Sequence, residues 1–418
     1  MATVGAPIAD GPRVKRSFSP LWVLTALCFI NYFDRQIMYG LFPLVGRDLA
    51  LSDAALGALG FGNLLVYALS SAISGHATRR LGARTVIAAG VTVWSLATLG
   101  SALAPNYASL LVTRALVGMG EGAFGPSANA LLCADAPPER RGRALGIYNV
   151  GMALGTAGGS VLALLTSGVL ASVLSWRGAL FIAGAPGLFL ALASLKVRVP
   201  RESEVPSLPA RRYLSSPVYV VSVIGGVLGT FGGSALISWM PTLLLRERRI
   251  DPTVAGIFLA GVALVCGTGG VLAGGFWGDA IARRRRGGHA FVVGASFLGS
   301  VPLALVALFI PSKVAFLSLT AIASFFFCVY YGPIAAAIDE MGPRGHATTL
   351  QAYFLLSTAL LGNAPAPVIV GRLSDLARGH FAAPLAMALV GSMAAFTLSG
   401  LAFLVTARMQ RRGPPPER

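Results

Sequence analysis

Twelve apolar segments follow one another along this 418-residue chain, near 20–45, 53–75, 84–104, 108–134, 144–171, 178–195, 217–243, 253–277, 291–310, 314–338, 348–371 and 382–407. Each approaches or exceeds the ~20 residues a helix needs to cross a bilayer. The chain is 55% hydrophobic and only 12% charged, with a mean hydropathy of +0.73, outside the usual range of soluble globular proteins. An all-α membrane protein is therefore expected.

The longest polar interruption, residues 196–216, holds Pro200, Pro206, Pro209 and seven charges, and it falls at the midpoint of the chain. Six spans, a linker and six spans is the layout of a duplicated transporter. The expected domains are an N-terminal tail at 1–19, a six-helix bundle at 20–195, the linker at 196–216, a second bundle at 217–407 and a tail at 408–418. The two bundles are expected to be pseudo-symmetric.

Lys and Arg set the orientation. With both termini cytoplasmic, 23 of the 33 basic residues fall in cytoplasmic tails and loops and 8 in external loops. The expectation is a multi-pass protein of the plasma membrane, a bacterial inner membrane given its short tails, with both ends inside. One external run, Arg246-Glu247-Arg248-Arg249, opposes the rule. The basic flank Arg13, Lys15 and Arg16 before the first apolar segment superficially resembles a secretory signal. That segment continues past Asp34 without a clear small-residue cleavage site and precedes many more spans, so it reads as a retained helix.

The net charge of +17 is scattered in short clusters between apolar segments. That spacing suits loops facing an anionic membrane surface and excludes a nucleic-acid reading. Cys28, Cys133, Cys266 and Cys328 fall one per apolar segment without shared spacing. His76, His289, His346 and His380 fall near or between segment ends. Neither set makes a metal or disulfide framework, and the histidines read as solvated loop residues. No nucleophile–base pair argues for an enzyme, and no phosphate loop of the form Gly-x-x-x-x-Gly-Lys-Ser/Thr argues for ATP as an energy source.

Four charges stand inside the spans: Asp34, Arg35, Arg114 and Glu121. Charge in hydrocarbon is costly and marks a pathway. On ideal helices Asp34 lies roughly 21 Å in from the cytoplasm and Arg114 roughly 10 Å down from outside, nearly level with it. Asp34 and Arg114 are thus expected to pair. Glu121 lies about two turns further along the face of Arg114, nearer the cytoplasm. Whichever of Asp34 and Glu121 loses its arginine is expected to carry the proton, since a desolvated carboxylate without a fixed cation prefers to be neutral. Arg35 stays charged and suits an anionic substrate group. A buried ionic network that only locks spans one and four together is the competing reading.

Asn31, Tyr39, Asn63, Tyr67, Tyr148 and Asn149 are candidate cavity residues near these charges. Trp239, Phe327, Tyr330, Tyr331, Gln351 and Tyr353 are candidates from the second half. The charge-free second half suits an acyl tail and the charged half a headgroup, which points to an amphipathic anion as the substrate class. Glycine is plentiful within spans, as at Gly151, Gly155, Gly158 and Gly159 in span five and Gly225, Gly226, Gly229, Gly232 and Gly233 in span seven. Close helix packing is the simpler reading of these positions; helix sliding is the alternative.

The run Asn31-Tyr32-Phe33-Asp34-Arg35 and the run from Arg114 through Gly120-Glu121-Gly122-Ala123-Phe124 to Pro126, continuing into Ala134-Asp135, Arg141 and Arg143, resemble the major facilitator superfamily. Within it they resemble the Spinster family of lysolipid and sphingolipid transporters. The resemblance implies a major facilitator fold working as a monomer. It implies proton coupling at Asp34 and Glu121, with Arg35 and Arg114 as their partners and as headgroup contacts. Its implied partners are a lysophospholipid or another amphipathic anion and the bilayer; its implied coupling ion is the proton, with no cofactor. Small organic anions as cargo, or a receptor that does not transport, are the alternatives.

Two departures stand out. The loop between spans two and three has Arg79, Arg80 and Arg84 after Gly75, where the superfamily carries an Asp four residues after its first Gly. The second-half counterpart keeps it, as Gly275 to Asp279 with Arg283 following, so the cytoplasmic gate is expected there. Gly122 stands where the family more often has Ala, and Phe124 where it more often has Tyr.

Overall fold

A computed structural model describes residues 20–135, 141–195, 214–342 and 347–412. Twelve long helices account for nearly all of them. In the first half these are α1 (Pro20–Asp48), α2 (Asp53–Leu81), α3 (Ala83–Ala102), α4 (Tyr107–Asp135), α5 (Arg141–Ser167) and α6 (Trp176–Ser194). The second half holds α7 (Pro217–Glu247), α8 (Pro252–Ala282), α9 (Gly288–Phe309), α10 (Lys313–Asp339), α11 (Ala347–Ser357, Thr358–Asn363 and Ala366–Ala377) and α12 (Pro384–Arg412). Ten are long and apolar enough to cross a membrane. The other two, α1 and α4, are those that carry the four internal charges. Most of the expected linker, residues 196–213, lies outside the described residues, as do the chain termini and His346.

The halves repeat one packing plan. α1 runs along α5, α2 along α4, and α3 between α4 and α6; in the second half α7 meets α11, α8 meets α10, and α9 lies between α10 and α12. The pseudo-symmetric equivalence of α1 with α7 and of α2 with α8 follows from those pairings.

Glycine brings helix backbones together in both halves, Gly274 of α8 meeting Val329 O and Gly362 of α11 meeting Val227 O in the second. A Cβ at Gly151, Gly155 or Gly159 of α5 would stand 2.2–2.5 Å from the carbonyl oxygens of Thr25, Phe29 and Phe33 on α1. Gly118 and Gly122 of α4 meet the carbonyls of Asn63 and Tyr67 on α2 in the same way. These are backbone-to-backbone contacts at i, i+4 spacing, the small-residue packing that lipid-embedded helices use. In α7 the glycines instead sit under phenyl rings: Gly226 under Phe354, Gly229 under Phe297, Gly232 under Phe396 and Gly233 under Phe327.

Three helices of the second half contain a wide turn of π-helix, at Leu243–Glu247, Val262–Gly267 and Thr358–Asn363. Among the described residues the first half has none. The structure also carries α7 and α11 beyond the apolar segments read from the sequence, so that Arg246, Glu247, Arg372 and Asp375 lie on helices rather than in loops.

The halves meet at one end of the bundle, the end away from the start of α1 and the end of α12. There α2 crosses α11, α5 crosses α8, and α1 touches α7. A Cβ on Gly57 would fall 2.2 Å from Pro367 O, and one on Gly371 2.3 Å from Asp53 O, so both crossings require glycine.

Candidate functional site

Asp34, Arg35, Arg114 and Glu121 assemble into two linked ion pairs within the first half. Arg35 donates from Nη2 to Glu121 Oε2 at 2.7 Å. Its guanidinium also lies 4.7 Å from the centre of the Tyr67 ring and 5.4 Å from that of Tyr32, where cation–π attraction adds to the pair. Arg114 faces Asp34 at 3.7 Å, a charge contact too long for a hydrogen bond. Thr98 closes that gap, donating to Asp34 Oδ2 at 2.7 Å and accepting from Arg114 Nη2 at 3.3 Å. Ser101 Oγ takes two more donors of Arg114, at 2.8 and 3.0 Å.

The expected pairing of Asp34 with Arg114 is thus present, through a hydroxyl on α3 that charge counting alone does not reveal. Arg35, expected to be available for an anionic group, is engaged by Glu121. Their surroundings differ. Asp34, Glu121 and Arg114 are all within 2% of full burial, whereas the Arg35 side chain keeps 17% exposure. Asp34 Oδ1 and Glu121 Oε1 have no hydrogen-bond partner.

The other first-half candidates divide by contact. Tyr67 lines the Arg35 pair. Asn63 donates to Arg114 O at 3.2 Å and so holds α2 to α4. Asn31 and Tyr148 are buried nearby, and Asn149 is exposed. Tyr39 is buried against Phe42, toward the end where the halves meet. Phe124 stacks edge-on against Trp94 and Gly122 abuts the α2 backbone, so an alanine at 122 would press on Tyr67 O.

In the second half Phe327, Tyr330 and Tyr331 form one aromatic cluster with Phe297 and Phe396. Tyr331 is half exposed. Tyr353 is exposed, and Gln351 donates to Asp339 at 2.5 Å. Trp239 is fully buried, its ring tilted against Phe42 and its indole N–H donating to Pro367 O at 2.9 Å, so it seals the junction of the halves rather than lining a cavity.

A set of residues that charge counting overlooked forms that junction. Asp53 is 2% exposed and accepts both Nη groups of Arg246, at 2.7 and 2.8 Å. Ser374 donates to it at 2.7 Å and Arg378 pairs with it at 3.1 Å. Asp375 of α11 accepts from the backbone N–H groups of Asp53 and Ala54, capping the start of α2 from the opposite half.

Three residues of the run expected to oppose the charge rule have partners here. Arg246 pairs with Asp53. Glu247 accepts from Leu385 N and Ala386 N at the start of α12. Arg248 donates to the carbonyls of Ala307, Leu308 and Ile310 at the end of α9. The run's opposition to the positive-inside pattern was the signal that could have found the junction.

At the terminal end, Arg79, Arg80 and Arg84 are exposed around the sharp turn at Gly82, close to Gly75. Asp279 and Arg283 are exposed as well, and Gly275 lies on the same helix, α8. His289, read as a solvated loop histidine, is instead half-buried at the start of α9. Its Nδ1 lies 2.6 Å from Glu340 and its Nε2 3.2 Å from Asp279, because α8 and α10 both end beside it. Among the described residues no cluster of metal-ligating side chains occurs, and Cys28, Cys266 and Cys328 are free thiols.

The fold is shared with a solved bacterial homolog of the human lysosomal transporter Spinster, in an inward-facing and unoccupied conformation. That similarity has a TM-score of 0.83 at 23% identity and covers 94% of this chain and 98% of that one. In sequence the chain is similar to an MFS-type efflux pump of Mycolicibacterium smegmatis, 29% identical over 98% of this chain and 97% of that protein. It is also similar to human protein spinster homolog 1, 27% identical over 86% of this chain and 74% of that protein. The sequence profile of the Major Facilitator Superfamily matches residues 24–367. Twelve helices in two repeated bundles, buried charge within one of them and that match together make this chain a membrane transporter of the major facilitator superfamily.

Proposed function

We propose that this transporter is a proton-coupled carrier of an amphipathic anion, a lysophospholipid or sphingolipid-like lipid, working by alternating access. The observation that carries the reading is the Arg35–Glu121 pair. It is a salt bridge with one partner fully buried and the other partly exposed and flanked by tyrosine rings. An anionic headgroup that reaches Arg35 competes with Glu121 for it. Glu121, left in a dry site without its cation, then takes up a proton, because a buried lone carboxylate is far more costly than a neutral acid. Departure of the headgroup restores the salt bridge and releases the proton.

Asp34 and Arg114 act as a second, drier relay that Thr98 and Ser101 keep in register. Arg114 has no exposed donor in this conformation, which leaves headgroup contact to Arg35. The aromatic cluster around Tyr331 offers apolar surface for a tail. The family resemblance at residues 31–35 and 114–126 supports the lipid reading.

The basic bias supports an orientation with the chain termini in the cytoplasm, and the short tails support a bacterial inner membrane. In that orientation the Asp53 junction seals the outside, and the conformation is inward-facing. The end of α2 at Gly75, Arg79 and Arg80, with Arg84 beyond the Gly82 turn, and the end of α8 at Gly275 and Asp279 with Arg283, then rim the cytoplasmic gate.

The test is uptake of a labelled lysophospholipid into proteoliposomes with and without a pH gradient, for the wild type and Glu121→Gln. Gradient-driven movement that the substitution abolishes supports the proposal. Binding without movement would indicate a receptor, and competition by water-soluble carboxylates but not lysolipids would indicate a small-anion carrier.

A further inference from the structure

A polar cavity of about 240 Å³ lies at the terminal end of the second half, away from Asp34 and Glu121. It is lined by Ala282, Arg285, Arg286, Gly287, Glu340 and Gln410. The ends of α8, α10 and α12 and the start of α9 enclose it. One side is built of donors. Gly287, at φ 72°, turns the chain so that α9 begins at the cavity with no side chain capping its first N–H groups. A Cβ there would also fall 2.6 Å from Ala407 O, which only glycine avoids. The Arg285 guanidinium lies over Phe291, its Cζ 3.8 Å from the ring centre, a cation–π contact that leaves N–H donors to spare. Arg286 stands next to it.

The opposite side is built of acceptors. Gln410 is only 8% exposed; its Nε2 donates to Ala337 O at 3.3 Å and its Oε1 has no partner. A buried amide oxygen left unpaired is costly and calls for a donor. Glu340, which holds His289 at 2.6 Å, adds a carboxylate to the same wall.

We propose that this cavity binds the phosphoethanolamine headgroup of a bilayer lipid. Its phosphate meets Arg285, Arg286 and the start of α9, and its ammonium donates to Gln410 Oε1 and Glu340. Phosphocholine offers the same phosphate but no N–H, and phosphoglycerol offers hydroxyl donors but no positive charge for Glu340. The volume holds roughly eight waters at ~30 Å³ each, ample for a small headgroup. Exposed Phe276 and Trp277 on α8, about two turns before Arg285, place the cavity at headgroup depth, where such aromatics anchor. The site lies outside the pathway proposed above and does not depend on it.

The test is native mass spectrometry of the full-length protein in detergent, offered equimolar phosphatidylethanolamine, phosphatidylcholine and phosphatidylglycerol of identical acyl chains, and separately soluble phosphoethanolamine. Retention of phosphatidylethanolamine over each of the others by about tenfold is expected, the factor that one charge-assisted hydrogen bond supplies. Gln410→Leu should erase the discrimination against phosphatidylcholine. Glu340→Gln, which keeps an acceptor for His289, should raise phosphatidylglycerol to the level of phosphatidylethanolamine. The Arg285→Gln, Arg286→Gln double variant should lose retention of all three. Equal retention of the three lipids by the wild type, or a preference that survives both Gln410→Leu and Glu340→Gln, would overturn the proposal. Soluble phosphoethanolamine binding as tightly as the lipid would overturn the bilayer source. Wild-type elution on size exclusion qualifies each variant, and the Gln410 and Glu340 substitutions are independent of one another.

Discussion

Arg246 of α7 and Asp53 of α2 meet in a two-pronged salt bridge across the boundary between the halves, at 2.7 and 2.8 Å. Asp53 is almost wholly buried, so removing Arg246 leaves its carboxylate with only Arg378 and Ser374 to offset desolvation, at a cost in stability. That cost falls on the conformation in which the halves touch here. Arg246→Gln is therefore expected to favour opening of this end. Spin labels on α2 and α11 beside the junction should report a longer distance in the variant; an unchanged distribution would show that the glycine crossings alone hold the end shut.

Glu121→Gln keeps a hydrogen-bond acceptor for Arg35 but can no longer release a proton. Gradient-driven uptake should fall by at least about tenfold, while substrate exchange between the two sides in the absence of a gradient persists. Loss of both in parallel would mean that Glu121 serves binding or folding, not coupling.

Asp34→Ala should behave differently from Glu121→Gln in thermal stability. It leaves Arg114 buried with only Ser101 and Thr98 as partners, so destabilisation of about 3 kcal/mol or more is expected. Intrinsic tryptophan fluorescence on heating, compared with the wild type in the same detergent, reads the difference.

Gly155→Ala and Gly146→Ala form a matched pair on α5. A Cβ at 155 would lie 2.2 Å from Phe29 O, whereas one at 146 meets nothing within 4 Å. The first should lower the melting temperature sharply. The second should leave it unchanged or raise it slightly, since alanine favours helix over glycine by roughly 0.5–1 kcal/mol.

Arg248→Ala frees three carbonyl oxygens at the end of α9 that its guanidinium now satisfies. Glu247→Ala removes only a cap on α12, worth about 1 kcal/mol. The first substitution should therefore be the more destabilising, as denaturation midpoints of the two variants would show.

The helices and their two-half order were legible because twenty apolar residues in a row admit few alternatives in a membrane. Asp34 and Arg114 were placed at one level by counting rise per residue. Thr98 and Ser101 were not legible, since a hydroxyl in an apolar segment looks the same whether it bonds its own helix or bridges an ion pair. Asp53 and Asp375 were hidden for another reason: each sits at a helix end, where charge is cheap and usually means nothing. His289 was misread because the sequence does not show that α8 and α10 both end beside it.

The π-helical turns in α7, α8 and α11, absent from the described first half, have a mechanical consequence. Helices keyed backbone to backbone, as α1 is to α5, have one seating and travel as a block. In α7 the glycines face rotatable phenyl rings instead, and each π-turn leaves its helix locally underwound by one extra residue, so a ring rotation can shift the seating. The first half is then expected to behave as the stiffer body, and faster amide hydrogen exchange at the π-turns of α7, α8 and α11 than along α1 and α5 would show it.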